Sequence, residues 1–240
     1  MKIALIGYGK MGKMLEAIAI ERGHQIVSRI DVENPNDFYS PEFSSADIAL
    51  EFTTPAAVEQ NIRKAWAAGV KVVSGTTGWH ENLPILQREL EENGKTLFWA
   101  SNFSIGVNIF FEINRQLAKI MNAFPQYDVK IEETHHKQKK DAPSGTAITL
   151  ADNILSELNG KHSWTLSPEQ NDFSIEITAK REGEVAGIHS TIYDSPEDII
   201  TLTHNAKSRA GFALGAILAA EFLQDKTGFF TMQNLLKINN

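Results

Sequence analysis

No cysteine occurs anywhere in the 240 residues. Disulfides, thiolate catalysis and cysteine-type zinc sites are therefore excluded. Positive charge is not in surplus either: 23 Lys and Arg stand against 30 Asp and Glu, a formal net charge of -7. An acidic surface does not attract nucleic acid or an anionic membrane, so neither is an expected partner. A small anionic ligand, which feels only the charges of its own pocket, is not excluded. No apolar run reaches the roughly 20 residues of a membrane-spanning helix, and no repeat or low-complexity segment is present. The first residues run straight into an apolar strand pattern without a basic leader and cleavage site, which predicts no signal peptide and a cytoplasmic location. What is there, 42% hydrophobic and 22% charged residues, suits one large or two small packed domains.

The N-terminal half alternates strand and helix patterns. Residues 2–6 are a short apolar run that reads as a buried parallel strand. Gly7-Tyr8-Gly9-Lys10-Met11-Gly12 follows as G-x-G-x-x-G, then a helix over 11–22 and a strand over 25–30 that ends at Asp31. Strand, glycine turn, helix and an acid 19 positions after Gly12 form the dinucleotide fingerprint. Gly7 permits the turn, Gly9 lets the backbone approach a pyrophosphate, and Gly12 lets the helix pack on the strand. The helix N-terminus offers unpaired N–H groups to phosphates. Asp31 can accept hydrogen bonds from the adenosine ribose and repels a 2′-phosphate, which favours NADH over NADPH. Lys10 and Lys13 act in the opposite sense.

Residues 34–45 read as a polar loop. Further strands are expected over 47–52, 71–74 and 96–100, and helices over 55–68 and 82–93. The result is a doubly wound parallel sheet of Rossmann type, in which ligands sit beyond the carboxyl ends of the strands. Phe52-Thr53-Thr54, Gly75-Thr76-Thr77-Gly78 and Ala100-Ser101-Asn102-Phe103 fall there. Their hydroxyls, amides and small residues suit a nicotinamide and its ribose.

The second half reads as an α+β domain. Helices are expected over 105–123 and 146–158, and strands over 128–133, 173–181, 187–193 and 199–204 in an open, mostly antiparallel sheet. A final helix over 209–223 returns to the first domain. The expected division is 1–104 completed by 209–240 for the dinucleotide, and 105–208 for substrate and oligomerisation.

The densest chemistry lies in residues 133–147. Lys137, Lys139 and Lys140 stand beside a helix start at Ser144-Gly145-Thr146, whose N–H groups and hydroxyls suit a carboxylate. A histidine beside them, with an ordinary pKa of about 6.5, can give or take a proton near neutrality. A metal site on His135 and His136 is the rival reading. Adjacent residues of an extended chain point to opposite sides, and no further ligand stands at helical spacing, so no metal is expected. On residues alone, two other functions fit the same plan: another NAD-dependent dehydrogenase of a small carboxylate, and a non-catalytic dinucleotide sensor. The former needs its own substrate constellation, and none as dense is present. The latter needs no His135 and Lys139.

The run Glu133-Thr134-His135-His136-x-x-Lys139-x-Asp141-Ala142-Pro143-Ser144-Gly145-Thr146-Ala147 closely resembles the signature of the 4-hydroxy-tetrahydrodipicolinate reductase (dihydrodipicolinate reductase) family. The resemblance extends over nearly the whole chain: Met11-Gly12, Phe52-Thr53 with Pro55, Gly75-Thr76-Thr77-Gly78, Asn102-Phe103-Ser104-x-Gly106-Val107-Asn108, and Ser208-Arg209 with Phe212-Ala213 and Gly215-Ala216. It implies hydride transfer from NAD(P)H to a dihydrodipicolinate-like ring in lysine and diaminopimelate biosynthesis. By position, His135 is the implied proton donor. Lys139 binds a substrate carboxylate and shares in the acid chemistry, while His136, Gly145 and Thr146 hold the dicarboxylate substrate. Gly7, Gly12, Asp31, Phe52, Gly75, Thr77 and Phe103 line the cofactor. A homotetramer built through the C-terminal sheet is also implied. The sequence departs from the family's usual Gly-x-x-Gly-Arg-Met-Gly turn: its turn is one residue shorter and has Lys10 in place of arginine. It is also shorter than typical members, chiefly around 34–45, a region that in the family helps set NADH against NADPH preference.

Overall fold

The computed structural model describes residues 1–169 and 171–238. They form two units: Met1–Ile105 with the chain from Ala210 onward, and Gly106–Arg209. Of the segment 209–240 read above as part of the first domain, Asn239 and Asn240 lie outside the described residues. In chain order the first unit begins with β1 (Lys2–Ile6), α1 (Lys10–Glu21), β2 (Gln25–Ile30), α2 (Pro41–Ser44), β3 (Ile48–Glu51), α3 (Val58–Ala67), β4 (Lys71–Ser74), α4 (Leu83–Asn93) and β5 (Thr96–Trp99). The second comprises α5 (Ile105–Met121), β6 (Asp128–His135), α6 (Gly145–Leu155), β7 (Ser163–Leu166), β8 (Ser174–Arg181), β9 (Ile188–Asp194) and β10 (Ile199–Asn205). The chain then returns to the first unit as α7 (Ala210–Phe222), β11 (Gly228–Phe230) and α8 (Met232–Leu236).

The period-two alternation of strands decides both faces of the first sheet. Ile3 and Leu5 of β1 point into a core shared with Leu15 and Ala19 of α1 and Ala216, Ile217 and Ala220 of α7. Ala4 and Ile6 point the other way, onto Ile62 and Trp66 of α3 and Leu86 and Leu90 of α4. Because helices cover both faces, β1 is buried from its second residue onward and reads as a continuous apolar run. The strand order is β11-β5-β4-β3-β1-β2 and every pairing is parallel. After α7 the chain forms β11, which extends the sheet beside β5, and α8, which buries Met232.

Residues 34–45 depart from the expected loop. Asp37–Tyr39 form one 3₁₀ turn, and Pro41–Ser44 form α2. The cause is local: Ser40 caps α2 by accepting the Phe43 N–H at 3.1 Å, and Pro41 sits where its missing N–H costs nothing. Phe38 and Phe43 then meet edge to face at 5.1 Å inside the core.

In the second unit, β6 alternates faces and puts Val129 and Ile131 on Ala147, Leu150, Ala151 and Ile154 of α6 and on Phe110 and Ala118 of α5. Buried Asn114 joins the layers, donating to the Leu150 carbonyl at 3.1 Å and accepting from the Thr191 hydroxyl at 2.8 Å. The sheet order is β10-β9-β6-β8-β7. Its pairings are antiparallel for β10/β9 and β9/β6 but parallel for β6/β8 and β8/β7, so the sheet is mixed rather than mostly antiparallel. The physical reason is the connection: α6 carries the chain from β6 to the far side, and a helical crossover brings the next strands back parallel. Strand β7, which the residue pattern did not mark, supplies one of the two parallel pairings. Among the described residues, no helix is long and apolar enough to cross a membrane.

Candidate active site

The first unit concentrates backbone donors and hydroxyls at the carboxyl ends of its strands. Gly7 has φ +92°, and a Cβ there would overlap the Phe52 carbonyl. A Cβ on Gly12 would overlap the Gly7 carbonyl, so α1 can lie this close to the turn only with glycine at both positions. Gly9 caps α1 without a side-chain hydrogen bond, and no acid stands in the first turn. The first N–H groups and the positive end of the helix dipole are thus left to an anion. Beside this turn lies a cavity of about 390 Å³ lined by Gly7, Gly9, Asp31, Phe52, Thr53 and Lys64 among others. Asp31 is exposed there, and one of its carboxylate oxygens accepts the Val32 N–H at 2.9 Å. Lys10 is exposed at the helix start.

A second cavity, of about 350 Å³, brings together Met11, Phe52, Thr53, Gly75, Thr76, Thr77, Ser101, Asn102 and Phe103. The Phe52 and Phe103 rings stand 5.8 Å apart on its wall. Beneath it is a carboxylate that residue reading passed over. Glu51 is fully buried and accepts the hydroxyls of Ser74 at 2.7 Å and Thr76 at 2.8 Å, and that of Thr53 on its other oxygen. The Thr76 hydroxyl in turn accepts the Thr53 N–H at 2.9 Å. One buried side chain therefore ties together the loops after β3 and β4.

In the second unit the alternation of β6 continues past Ile131 and buries Glu133 and His135 on the same face. Glu133 lies directly opposite His189 of β9, and His135 opposite Arg181 of β8. Glu133 Oε2 lies 3.6 Å from His135 Nδ1 and 3.6 Å from His189 Nε2, and the two imidazole rings meet edge to face at 4.9 Å. Arg181 donates to Glu133 at 3.0 Å and to the Asp141 carbonyl at 2.7 Å. Burial alone would push the Glu133 carboxyl up. Hydrogen bonds from His189, Ser144 and Arg181, with the charge of His135, outweigh burial and hold it at about 2. His135 is pushed the other way, down to about 4, by burial first and then by His189; Glu133 opposes the fall, while Lys139 and Arg181 add to it. Glu133, His135 and His189 bring ligand atoms within 4.8 Å of one another. The Arg181 guanidinium lies against the carboxylate of this cluster.

The loop that follows carries the cationic groups. Lys139 is half-buried and pairs with Asp141 at 2.7 Å, whereas Lys137 and Lys140 are exposed. The Lys139 ammonium holds the Asp141 carboxyl below its usual range. His136 leaves β6 on the opposite side from His135, with its Nε2 3.4 Å from Arg209 Nη2. Gly145 and Thr146 open α6, where helix geometry leaves their N–H groups to a ligand. Ser144, read from the residues as part of the carboxylate clamp, is buried. It faces inward: its N–H donates to Glu133 at 3.1 Å, its hydroxyl accepts the Ala147 N–H at 3.2 Å, and the same oxygen lies 3.1 Å from His189 Nε2. It caps the helix. Glu133, His189, Arg181 and Asp141 were not singled out by residue reading as working parts; the period-two alternation of β6 was the available signal for the first.

Two family models match the chain: "Dihydrodipicolinate reductase, N-terminus" over residues 1–103 and "Dihydrodipicolinate reductase, C-terminus" over residues 106–236. The chain is similar to the 4-hydroxy-tetrahydrodipicolinate reductase of Christiangramia forsetii, at 47% identity over 240 residues, which is 98% of each chain. It is 42% identical to that of Methanopyrus kandleri over 200 residues, 80% of this chain and 71% of the relative. Among solved structures, the dipicolinate-bound dihydrodipicolinate reductase from a Paenisporosarcina species superposes with a TM-score of 0.76 at 25% identity, covering 96% of this chain and 97% of the other.

Proposed function

This chain belongs to the dihydrodipicolinate reductase family, and we propose that it reduces 4-hydroxy-tetrahydrodipicolinate to tetrahydrodipicolinate in lysine and diaminopimelate biosynthesis. The hydroxyl of the substrate leaves as water together with a hydrogen of the adjacent ring carbon, and a hydride then adds at C4 of the resulting dihydro ring while a proton adds at the neighbouring carbon. NADH or NADPH, when bound, supplies the hydride. The glycine turn, the uncapped start of α1 and the two cavities of the first unit fit a dinucleotide, with Gly7, Gly9, Lys10 and Gly12 at the phosphates. Met11, Phe52, Thr53, Gly75, Thr76, Thr77, Ser101, Asn102 and Phe103 suit the nicotinamide end. Asp31 sits at the ribose and favours NADH. A paired NADH and NADPH titration, repeated on Asp31→Asn, tests that preference: the variant should gain NADPH affinity relative to NADH.

In the second unit, His135 gives the proton to the ring. Lys139 and the N–H groups of Gly145 and Thr146 bind the carboxylates, with His136 beside them. One observation carries this reading: the Glu133 cluster that surrounds His135 also holds the start of α6 through Ser144. A proton donor and an anion-binding helix end thus share one frame. The test couples NADH oxidation to dihydrodipicolinate synthase, which makes the unstable substrate from aspartate semialdehyde and pyruvate. No loss of absorbance with either NADH or NADPH overturns the reading. The same proposal makes the protein a cytoplasmic homotetramer joined through the mixed sheet. Ile199 and Ile200, exposed by 61% and 38% on the edge strand β10, support it. Sedimentation of the purified protein checks the tetramer.

A further inference from the structure

We propose that Glu133 is a positioning residue for the proton step: from beneath the site it orients the His135 ring and, through Ser144 and Arg181, holds the start of α6 and the Asp141 loop in register with it. His189 completes the arrangement. This rests on the reductase reading and adds to it two residues that touch neither substrate nor cofactor.

The geometry supports it from four sides. The Glu133 side chain is fully buried, and its two oxygens accept Ser144 N–H at 3.2 and 3.1 Å and Arg181 Nη2 at 3.0 Å. A buried carboxylate costs several kcal/mol of desolvation unless it is paired this well, and apolar residues of the same volume usually stabilise a fold as much. Stability alone therefore does not call for an anion here. What the anion faces does: His135 Nδ1 lies 3.6 Å away, buried, and with no hydrogen-bond partner. With Nδ1 turned to Glu133, the Nε2 edge lies beside Gly187, where even a Cβ would come within 3.1 Å. A side chain at this position would crowd that edge. Of the groups that act on His135, three work against its proton: His189 from β9, Arg181 from β8 and Lys139 from the loop. Glu133 from β6 is the one that retains it.

This opposition gives a test. The variants are Glu133→Gln, Glu133→Asp and His189→Gln. For each, kcat and KM are measured across pH, and the His135 imidazole is titrated by ¹⁵N NMR with pyridine-2,6-dicarboxylate bound. In Glu133→Gln, His135 should titrate lower and the alkaline fall of kcat should move about one pH unit toward acid. That is roughly a tenfold loss at fixed alkaline pH and a smaller one at pH 6. Glu133→Asp should keep the wild-type limb, because the charge is retained. His189→Gln should move both readings in the opposite direction, toward alkaline. A merely structural Glu133 would lower kcat by the same factor at every pH and leave the His135 titration where it was; that result overturns the proposal. If Glu133→Gln does not fold, an unmoved His135 titration in His189→Gln overturns it instead. Absence of NADH oxidation by the wild-type protein would sink the reductase reading, and the NMR titrations would still decide on Glu133.

Discussion

Binding a dicarboxylate should load His135 with its proton. Burial and its cationic neighbours hold this imidazole down at about 4. At pH 7 only about one molecule in a thousand would carry the acid proton. The substrate brings the missing charge. Two carboxylates, each roughly 8 Å from the ring at an effective dielectric of about 20, together contribute about 4 kcal/mol. At about 1.4 kcal/mol for each pKa unit, that lifts His135 by about three units, to near neutrality. The linkage then has a definite sign. The free group is deprotonated above pH 4 and the bound group is protonated below about pH 7, so binding takes up a proton between those limits. Uptake should be about 0.9 proton at pH 6, about half at pH 7 and about a tenth at pH 8. Affinity should weaken nearly tenfold for each pH unit up to about 7 and level off above it. Calorimetry of pyridine-2,6-dicarboxylate binding, in buffers of different ionisation enthalpy, reads the proton number directly. Equal proton numbers at pH 6 and pH 8 would refute the reasoning, as would full uptake by His135→Gln.

Three further outcomes follow from the same geometry. His135→Gln should bind NADH as the wild type does and lose about 10²–10⁴ of its turnover, the usual worth of a positioned acid; near-normal turnover would remove it from the acid role. Lys139→Ala should raise KM and lower kcat together, with kcat/KM falling roughly 10- to 150-fold, because a charged hydrogen bond contributes about 1.5–3 kcal/mol. An unchanged KM would mean that its charge serves Asp141 alone. Glu51→Gln places an amide N–H₂ against hydroxyls that now donate to a carboxylate, and should cost about 1–3 kcal/mol of stability. It should also weaken NADH binding while leaving dicarboxylate binding untouched. Thermal melts and fluorescence titrations with each ligand check both halves of that statement.

The doubly wound sheet was legible in the residues because its signals are local. Each apolar run is bounded by glycine or by a helix start, and the loops at the strand ends can be named before any pairing is known. Three things were not readable in the same way. Strand β7 is short and only partly buried, so its four residues carry neither a continuous apolar run nor a clear alternation. The 34–45 segment hides a cap: Ser40-Pro41 is a helix start, but one that serves four residues and is easily taken for a turn. The opposition of Glu133 and His189 depends on strand register between positions far apart in sequence, which no local pattern encodes. Glu133 itself was within reach. The expected strand stopped at residue 133, whereas β6 runs to His135. Carrying the Val129 and Ile131 alternation two steps further puts both Glu133 and His135 on the buried face.

That face explains why a site for a dianion contains a buried anion at all. Lys139 and the start of α6 are what the proposed dicarboxylate needs, and the Lys139 charge also drives the proton off His135. A site made only of such groups would bind its ligand well and hold no acid to protonate it. Glu133 offsets part of that field permanently, and its own charge is secured by Arg181 and by the Ser144 N–H. It does not offset all of it, since His135 remains at about 4. The remainder must come from the ligand, so the acid is armed only when a dicarboxylate is bound. A ligand with one carboxylate should then bind more weakly and also take up less of a proton. Comparing pyridine-2-carboxylate with pyridine-2,6-dicarboxylate by the same calorimetry separates the two effects. Equal proton uptake by both would mean that contact with the ring, rather than charge, sets the proton on His135.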